Sequence, residues 1–313
     1  MRVRPFRDAD APALAEWLDA LAPAEDVYTA AVLVHQRRMA PARGRPLWLV
    51  AVQDGAPVGL GREEPQIFGS RPGLRRTWVG VRPDVRRQGI GGRLWQAIER
   101  HARQVGGRRL RSWAVADVPD GERFLLARGF ARVHRDLQSW VDPARIDARQ
   151  LERSTVQAAE RGFRVTTLRA VLPNMEPDLR RLFLAGDRDA PGHPATAPPV
   201  AASTFRRVIL RNPILDHDCS TVVLRGPEPV ALCWLKGGAG PGRYGIEFTA
   251  TAPGWRGRGL ATLAKLSALQ LAARAGVRWV GTANDETNAP MLAVNRRLGH
   301  QPLPDLLIYE REI

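Results

Sequence analysis

Two short segments carry the residues best suited to chemistry. Arg86-Arg87-Gln88-Gly89-Ile90-Gly91-Gly92 follows an apolar stretch ending at Val81, and Arg256-Gly257-Arg258-Gly259-Leu260-Ala261-Thr262 follows one ending at Thr251. In each, a proline-containing turn leads through Arg-x-x-Gly-x-Gly/Ala into a run with helical spacing. The first N–H groups of a helix lack partners within it, and the helix dipole adds positive potential there, so such a start suits phosphate oxygens. Small residues at Gly89, Gly91, Gly259 and Ala261 let a diphosphate approach the main chain, and Arg86, Arg87, Arg256 and Arg258 add charge around it. The Walker pattern requires Gly-Lys-Ser/Thr, which neither segment has. A dinucleotide fingerprint requires a third glycine, where Leu94 and Ala264 stand.

The two segments belong to a duplication. One offset of 170 positions relates Arg86 to Arg256 (256 − 86 = 170), Gly89 to Gly259, Gly91 to Ala261 and, further on, Gly129 to Gly299. A single offset serving separated landmarks implies two copies of one fold. In the early copy the patterns predict a strand at 2–6, helices at 9–21 and 26–39, and a hairpin of 47–52 with 57–62 around Asp54-Gly55. A strand at 77–81, a helix at 89–105, a strand at 110–115, a short helix at 121–128 and a strand at 130–141 follow. The late copy reads the same way: strand 164–169, helices at 176–184 and 203–211, strands 220–224 and 229–236, strand 244–251, helix 260–275, strand 277–282, helix 288–298 and strand 306–311. The fold class expected is mixed α/β, two tandem domains at 1–141 and 162–313, each a mixed, mostly antiparallel sheet flanked by helices. A polar, helical connector at 142–161 joins them, and each copy has one strand–helix–strand crossover.

Composition narrows the partners. The 313 residues carry a formal charge of +15. Only Lys236 and Lys265 among the basic residues are lysines, and the arginines are scattered rather than gathered into a patch. That pattern reads as a compositionally basic exterior, not a nucleic-acid surface. The N-terminus has Asp8 and Asp10 where a signal peptide would be apolar, and no run approaches a membrane span. Two cysteines, Cys219 and Cys233, read as buried thiols of a reducing compartment, so the cytoplasm is the expected location. His193 and His217 lack metal-ligand spacing, and no metal is expected. The glycine-rich stretch 236–245 reads as a hairpin rather than a phosphate loop.

The segments around Arg86–Gly91 and Arg256–Ala261 resemble the coenzyme A loop of the GNAT superfamily of N-acyltransferases, usually written Gln/Arg-x-x-Gly-x-Gly/Ala. The late block Thr282-Ala283-Asn284-Asp285-Glu286-Thr287-Asn288, continuing through Met291 and Asn295 to Gly299, resembles a second block of tandem-repeat members of actinobacterial type, the group that includes mycothiol synthase. The resemblance covers nearly the whole chain. It implies transfer of an acyl group, acetyl from acetyl-CoA first among them, to an amine of a small molecule or peptide. It places the diphosphate on the amides of residues 256–262 and the pantetheine arm along Thr249, Ala250 and Thr251, with Asn288 bonding the arm and Asn284 facing the same gap. In the early copy Val79 and Val81 on the strand and Arg86, Arg87, Gln88, Gly89, Ile90, Gly91 and Gly92 on the loop are the corresponding coenzyme contacts.

The acceptor amine must lose a proton, so a carboxylate near the thioester is needed. Glu247, on the cradle's own strand, is the candidate, and strict alternation puts it on the face of Thr249 and Thr251. Asp285 and Glu286 are weaker candidates. Many relatives carry a tyrosine as acid four residues before the Gly-Phe landmark; here Leu125 and Asn295 stand there, and Asn295 reads as site lining or a helix cap. Asp187–Gly192 is expected to line the acceptor cleft. The early copy lacks the Asn-rich block, which predicts weak coenzyme binding or a scaffold that shapes the acceptor pocket. A non-catalytic acyl-CoA sensor of the same fold is the rival reading, and a nucleic-acid-binding protein the second. The acceptor's identity and the oligomeric state are not encoded in any recognisable motif.

Overall fold

The computed structural model describes residues 1–24, 26–68, 71–191, 193–195, 197–237 and 242–313, with Arg43 described in its main chain only. The early half runs β1 (Arg2–Pro5), α1 (Ala11–Leu18), α2 (Ala30–Met39), β2 (Leu47–Gln53), β3 (Ala56–Pro65), β4 (Leu74–Val81), α3 (Ile90–Gln104), β5 (Arg109–Val115), α4 (Pro119–Leu126) and β6 (Ala131–Val141). After α5 (Ala148–Glu160) the late half repeats the order with β7 (Phe163–Thr167), α6 (Leu168–Arg188), α7 (Ala202–Phe205), β8 (Leu215–Arg225), β9 (Glu228–Gly237), β10 (Arg243–Thr251), α8 (Leu260–Arg274), β11 (Trp279–Asp285), α9 (Ala289–Arg297), β12 (Gln301–Pro302) and β13 (Leu306–Glu312). A π-helical turn, Arg206–Leu210, extends α7. Residues 238–241 of the expected hairpin 236–245 lie outside the described residues, as does Gly192 of the Asp187–Gly192 loop.

All strands form one mixed sheet, ordered β1-β2-β3-β4-β5-β13-β6-β11-β10-β9-β8-β7, with β12 beside β6. The halves exchange their last strands. Early β6 pairs with late β11 from Val141↔Val280 to Asp136↔Asp285, and late β13 pairs with early β5 from Leu306↔Val115 to Glu312↔Arg109. A cut at residue 141 therefore divides the chain but not the sheet.

Both sheet faces are covered, so the central strands are apolar on both sides. Along β8 and β9, Val222, Leu224, Leu232 and Trp234 pack with α6 and α7, while Val223, Ala231, Cys233 and Leu235 pack with α8. Helix α3 is amphipathic, burying Ile90, Leu94, Trp95, Ile98 and Ala102. Helix α8 is buried nearly all round because α5 covers its outer side. Helix α6 begins at Leu168, not near 176, and holds Pro173 and Pro177 in its interior. Proline disfavours a helix interior, but Leu168, Val171, Leu179, Leu182 and Phe183 form one buried stripe whose packing outweighs that cost.

In each half the crossover strands run parallel briefly and then part. β4 pairs with β5 only over Leu74–Arg76 against Arg109–Arg111, and β10 with β11 only over Arg243–Gly245 against Trp279–Gly281. Each parting opens a wedge facing the N-terminus of the crossover helix.

Candidate functional site: two cradles and a shared cavity

The two helix starts have the same main-chain geometry. In the late half, pairing stops at Arg256, whose N–H donates to Pro253 O (3.3 Å), and resumes at Leu263, whose N–H donates to Gly259 O (3.0 Å). Between them the N–H groups of residues 257–262 have no main-chain acceptor among the described residues. In the early half the same gap spans 87–92, between Arg86 N→Pro83 O (3.3 Å) and Arg93 N→Gly89 O (3.2 Å). Gly89 and Gly259 cap the helices at φ +80° and +79°, a left-handed conformation that a β-carbon disfavours. One residue pair is unlike: Gly257 (φ 72°) is matched by Arg87 (φ 66°), a non-glycine residue in the same strained region.

The arginines do more than add charge. Arg86 Nε donates to Val81 O (3.1 Å), and Arg256 Nε donates to Thr251 O (3.2 Å), so each ties its turn to the end of the cradle strand. Arg256 also pairs with Asp189, which places the acidic loop after α6 beside the late cradle. Arg258 lies 4.9 Å from the centre of the Trp255 ring.

The early wedge holds a cavity of about 840 Å³. Of the coenzyme contacts expected in the early copy, Val79, Val81, Arg86, Arg87, Gly89, Ile90, Gly91 and Gly92 all line it, and Gln88 does not. Arg128, which the sequence reading missed, lines it too. Its guanidinium lies 3.5 Å from the Phe124 ring centre, burial pulls its pKa down, and its Nε is buried without a partner. Arg243, Trp279, Leu303 and Pro304 of the late half line this cavity as well. A second cavity of about 460 Å³ is also lined by residues of both halves, including His134, Asp136, Lys236 and Glu247 at their seam. Trp78, Ser112 and Trp113 line both cavities. The two indoles stack (5.5 Å, 26°) where the two cavities adjoin.

The late wedge is built differently at the matching positions. Phe248 stands for Trp78 and Ala283 for Trp113. Phe248 packs against Phe183 of α6 (4.3 Å), and alanine has no ring to stack. Among the described residues, the Thr251 hydroxyl at the lip of this wedge is buried without a hydrogen-bond partner. Thr249 contacts Cys233 Sγ (3.7 Å).

The expectation that Glu247 shares a face with Thr249 and Thr251 is overturned. Ile246 pairs with Leu235 and Phe248 with Trp234, so Glu247 is the extra residue of a β-bulge. A bulge breaks the alternation of side chains. Thr249 faces Cys233 and the α8 core, whereas Glu247 and Phe248 both point to the α6 side, where Glu247 lines the seam cavity. There one Glu247 oxygen lies 3.2 Å from Lys236 Nζ, which also bonds Asp26 (3.1 Å).

Asn295 caps no helix end. Within α9 and 3% exposed, it accepts from Lys265 Nζ and donates to Asn284 Oδ1 (2.6 Å). Asn288 Oδ1 accepts from Met291 N (3.3 Å) and caps α9. Lys265 is 1% exposed, and burial pushes its pKa down to about 8, opposed by Cys233. The signal for it was present: it is one of two lysines in the chain and interrupts the apolar run Leu263-Ala264-Lys265-Leu266. His134, Asp136 and Asp285 bring ligating atoms within 4.8 Å of one another. No sequence pattern joins 134–136 to 285, since only strand exchange makes them neighbours.

Among the described residues no helix is long and apolar enough to cross a membrane. Sequence comparison finds no match among proteins of curated function. The fold is similar to that of a tandem GNAT protein from the clavulanic acid biosynthesis pathway, with 23% identity, 99% of this chain and 98% of that one covered, and a TM-score of 0.73. A GCN5-related N-acetyltransferase from Sphaerobacter thermophilus aligns at 18% identity over 99% and 95% of the two chains, TM-score 0.66. A putative acetyltransferase from Pyrococcus horikoshii aligns at 13% identity over 100% and 89%, TM-score 0.58. The model of the acetyltransferase (GNAT) family matches twice, over residues 11–130 and 189–300, and the chain belongs to that family.

Proposed function

We propose that the protein transfers an acyl group, acetyl foremost, from acyl-CoA to a primary amine of a small molecule or peptide, and that the reaction runs in the late wedge. The observation that carries the reading is the cradle: N–H groups of residues 257–262 without main-chain acceptors, at a helix start beside parted strands. In this reading the diphosphate of coenzyme A sits on those amides and the pantetheine arm follows Thr249, Ala250 and Thr251, where the unpartnered Thr251 hydroxyl awaits a polar group. Asn284 and Asn295, already bonded to each other, bound the thioester end. Asn288 at the start of α9 flanks the arm. Past Gly245 the pairing of β10 with β11 ends, which leaves main-chain N–H groups on that edge for the thioester oxygen as it gains charge. The amine nitrogen enters from the seam cavity and attacks the carbonyl carbon. The C–S bond breaks, coenzyme A leaves as a thiolate, and the amine proton passes to a carboxylate.

A second reading is favoured for the early half, which would bind coenzyme in its cavity without turning it over. In this reading the stacked pair Trp78 and Trp113, which lines both cavities, stands between the early thioester and the cavity that holds Glu247, whereas Phe248 and Ala283 give the late wedge no such pair. Cytoplasmic location belongs to the same proposal, because acyl-CoA is made and used there and both cysteines are buried free thiols. Acetyl-CoA titrated calorimetrically into the protein, with thiol release followed across a panel of primary amines, tests both readings. Binding with thiol release is expected. Binding without release would leave a coenzyme sensor, and no binding would end both accounts.

A further inference from the structure

The transfer reaction needs a proton acceptor on the amine's side of the sheet, and resting on that reading, the strand exchange identifies one. Asp136 lies on β6, which belongs to the early half in sequence but hydrogen-bonds to β11, one edge of the late wedge. Its register partner there is Asp285. Asp136 and His134 line the seam cavity together with Glu247, and His134 Nε2 stands 3.9 Å from Asp136 and 4.0 Å from Asp285. We propose that Asp136 is the general base of the late wedge, lent by the other half of the chain, with His134 as its positioning residue.

Geometry separates Asp136 from the other carboxylates of this cavity. Glu247 gives one oxygen to Lys236, and Asp26 shares that same ammonium. Glu64 accepts from the Trp48 indole (3.3 Å) and lies on β3, remote in the sheet from β11. No Arg or Lys lies within ion-pair distance of Asp136 among the described residues, so it stays available to an incoming ammonium group. The charged groups acting on it are His134 on its own strand, Asp285 and Glu286 at and just past the end of neighbouring β11, and Arg111 on β5, one strand beyond β13. Burial pushes its pKa up to about 6, with Asp285 and Glu286 adding to the rise and His134 and Arg111 opposing it. A base of that strength is ionised at neutral pH yet accepts a proton readily.

The test compares Asp136→Asn, Glu247→Gln and the unaltered protein, with ethylamine and hydroxylamine as probe acceptors and acetyl-CoA as donor. Ethylamine is protonated at neutral pH and needs a base, whereas hydroxylamine is largely unprotonated already. Asp136→Asn is expected to lower ethylamine turnover about 100-fold, the low end for loss of a general base, and hydroxylamine turnover far less. The acid limb of kcat/KM for ethylamine, falling as pH drops through about 6, should vanish in that variant and shift in His134→Ala. Unchanged calorimetric affinity for acetyl-CoA shows that the variant is folded. A folded Asp136→Asn with undiminished ethylamine turnover overturns the assignment, as does an equal loss with both amines; a selective loss in Glu247→Gln alone would move the role there. If the unaltered protein releases no thiol with either amine, the transfer reading itself fails and the base with it.

Discussion

Lys265 offers a measurement whose size follows from the structure. Its ammonium is buried between α8 and α9, and its recorded partners are Asn295 Oδ1 and Met291 Sδ (3.9 Å), with no carboxylate. Burial moves its pKa from 10.5 to about 8. The folded chain therefore holds this proton only below about pH 8, while the unfolded chain holds it up to about 10.5. Below pH 8 the group costs the fold its full penalty, about 3 kcal/mol at about 1.4 kcal/mol per pKa unit. Between pH 8 and 10.5 the unfolded chain binds more protons, so this group's contribution to stability rises with pH by about 1.4 kcal/mol per unit. Replacing Lys265 with methionine, similar in length and apolar, removes the penalty but leaves Asn295 Oδ1 without its donor, at a cost of about 1–3 kcal/mol. At pH 7 Lys265→Met should then lie between equal stability and about 2 kcal/mol more, and the order should reverse by pH 10. Urea unfolding followed by tryptophan fluorescence at pH 7, 8, 9 and 10 gives the difference between the two proteins, from which all other titrating groups cancel. A difference that stays constant across those four pH values would show that Lys265 is not a buried, destabilising ammonium, and the reasoning would be wrong.

Three further outcomes are expected. Gly259→Val forces a β-branched residue to φ +79°, at about 1–2 kcal/mol, and sets its side chain over the cradle; a thermal melt should fall by a few degrees and late-site acetyl-CoA affinity by more than tenfold. Unchanged affinity would mean that no phosphate rests on that turn. Trp113→Ala removes one half of the stacked wall and should join the early cavity to the seam, raising thiol release per chain when the late wedge is disabled by Gly259→Val; no increase would show that something other than the tryptophans silences the early half. Ending the chain before Leu306 strips β5 and β6 of their shared partner and removes fully buried Tyr309, so both halves should lose cooperative unfolding together in circular dichroism, whereas an intact early transition would argue that the halves are independent.

How far the sequence could be read depends on whether a feature is local. The cradles were legible because everything they need lies within a few residues: a strand end, a turn, an arginine at fixed distance and glycines whose conformation only a turn of that shape requires. The repeat, the crossovers and the connector helix were legible for the same reason, since period and offset survive in one dimension. Glu247 was placed on the wrong face because a bulge is an insertion in pairing, not in sequence; nothing in Ile246-Glu247-Phe248 announces that Trp234 will skip a partner. The start of α6 was misplaced because two prolines speak locally and loudly, while the buried stripe that overrides them is a tertiary fact.

The strand exchange was beyond reach altogether, and it changes what a half of this protein is. Period-2 patterning tells which residues of β6 face a core but not whose core, because β5 and β11 present equivalent edges in the two copies. Residues 131–141 and 306–312 are thus interchangeable by pattern, and the sheet order settles the matter. Once exchanged, early β6 carries His134 and Asp136 to the edge of the late wedge, so on the proposed reading a carboxylate of one copy serves the other. On the proposed reading the early copy contributes without turnover of its own: it supplies a wall of the seam cavity and, through β6, His134 and Asp136. On that reading Trp78 and Trp113 can stand in the early wedge at no loss to the reaction, because the early copy's contribution is made through β6.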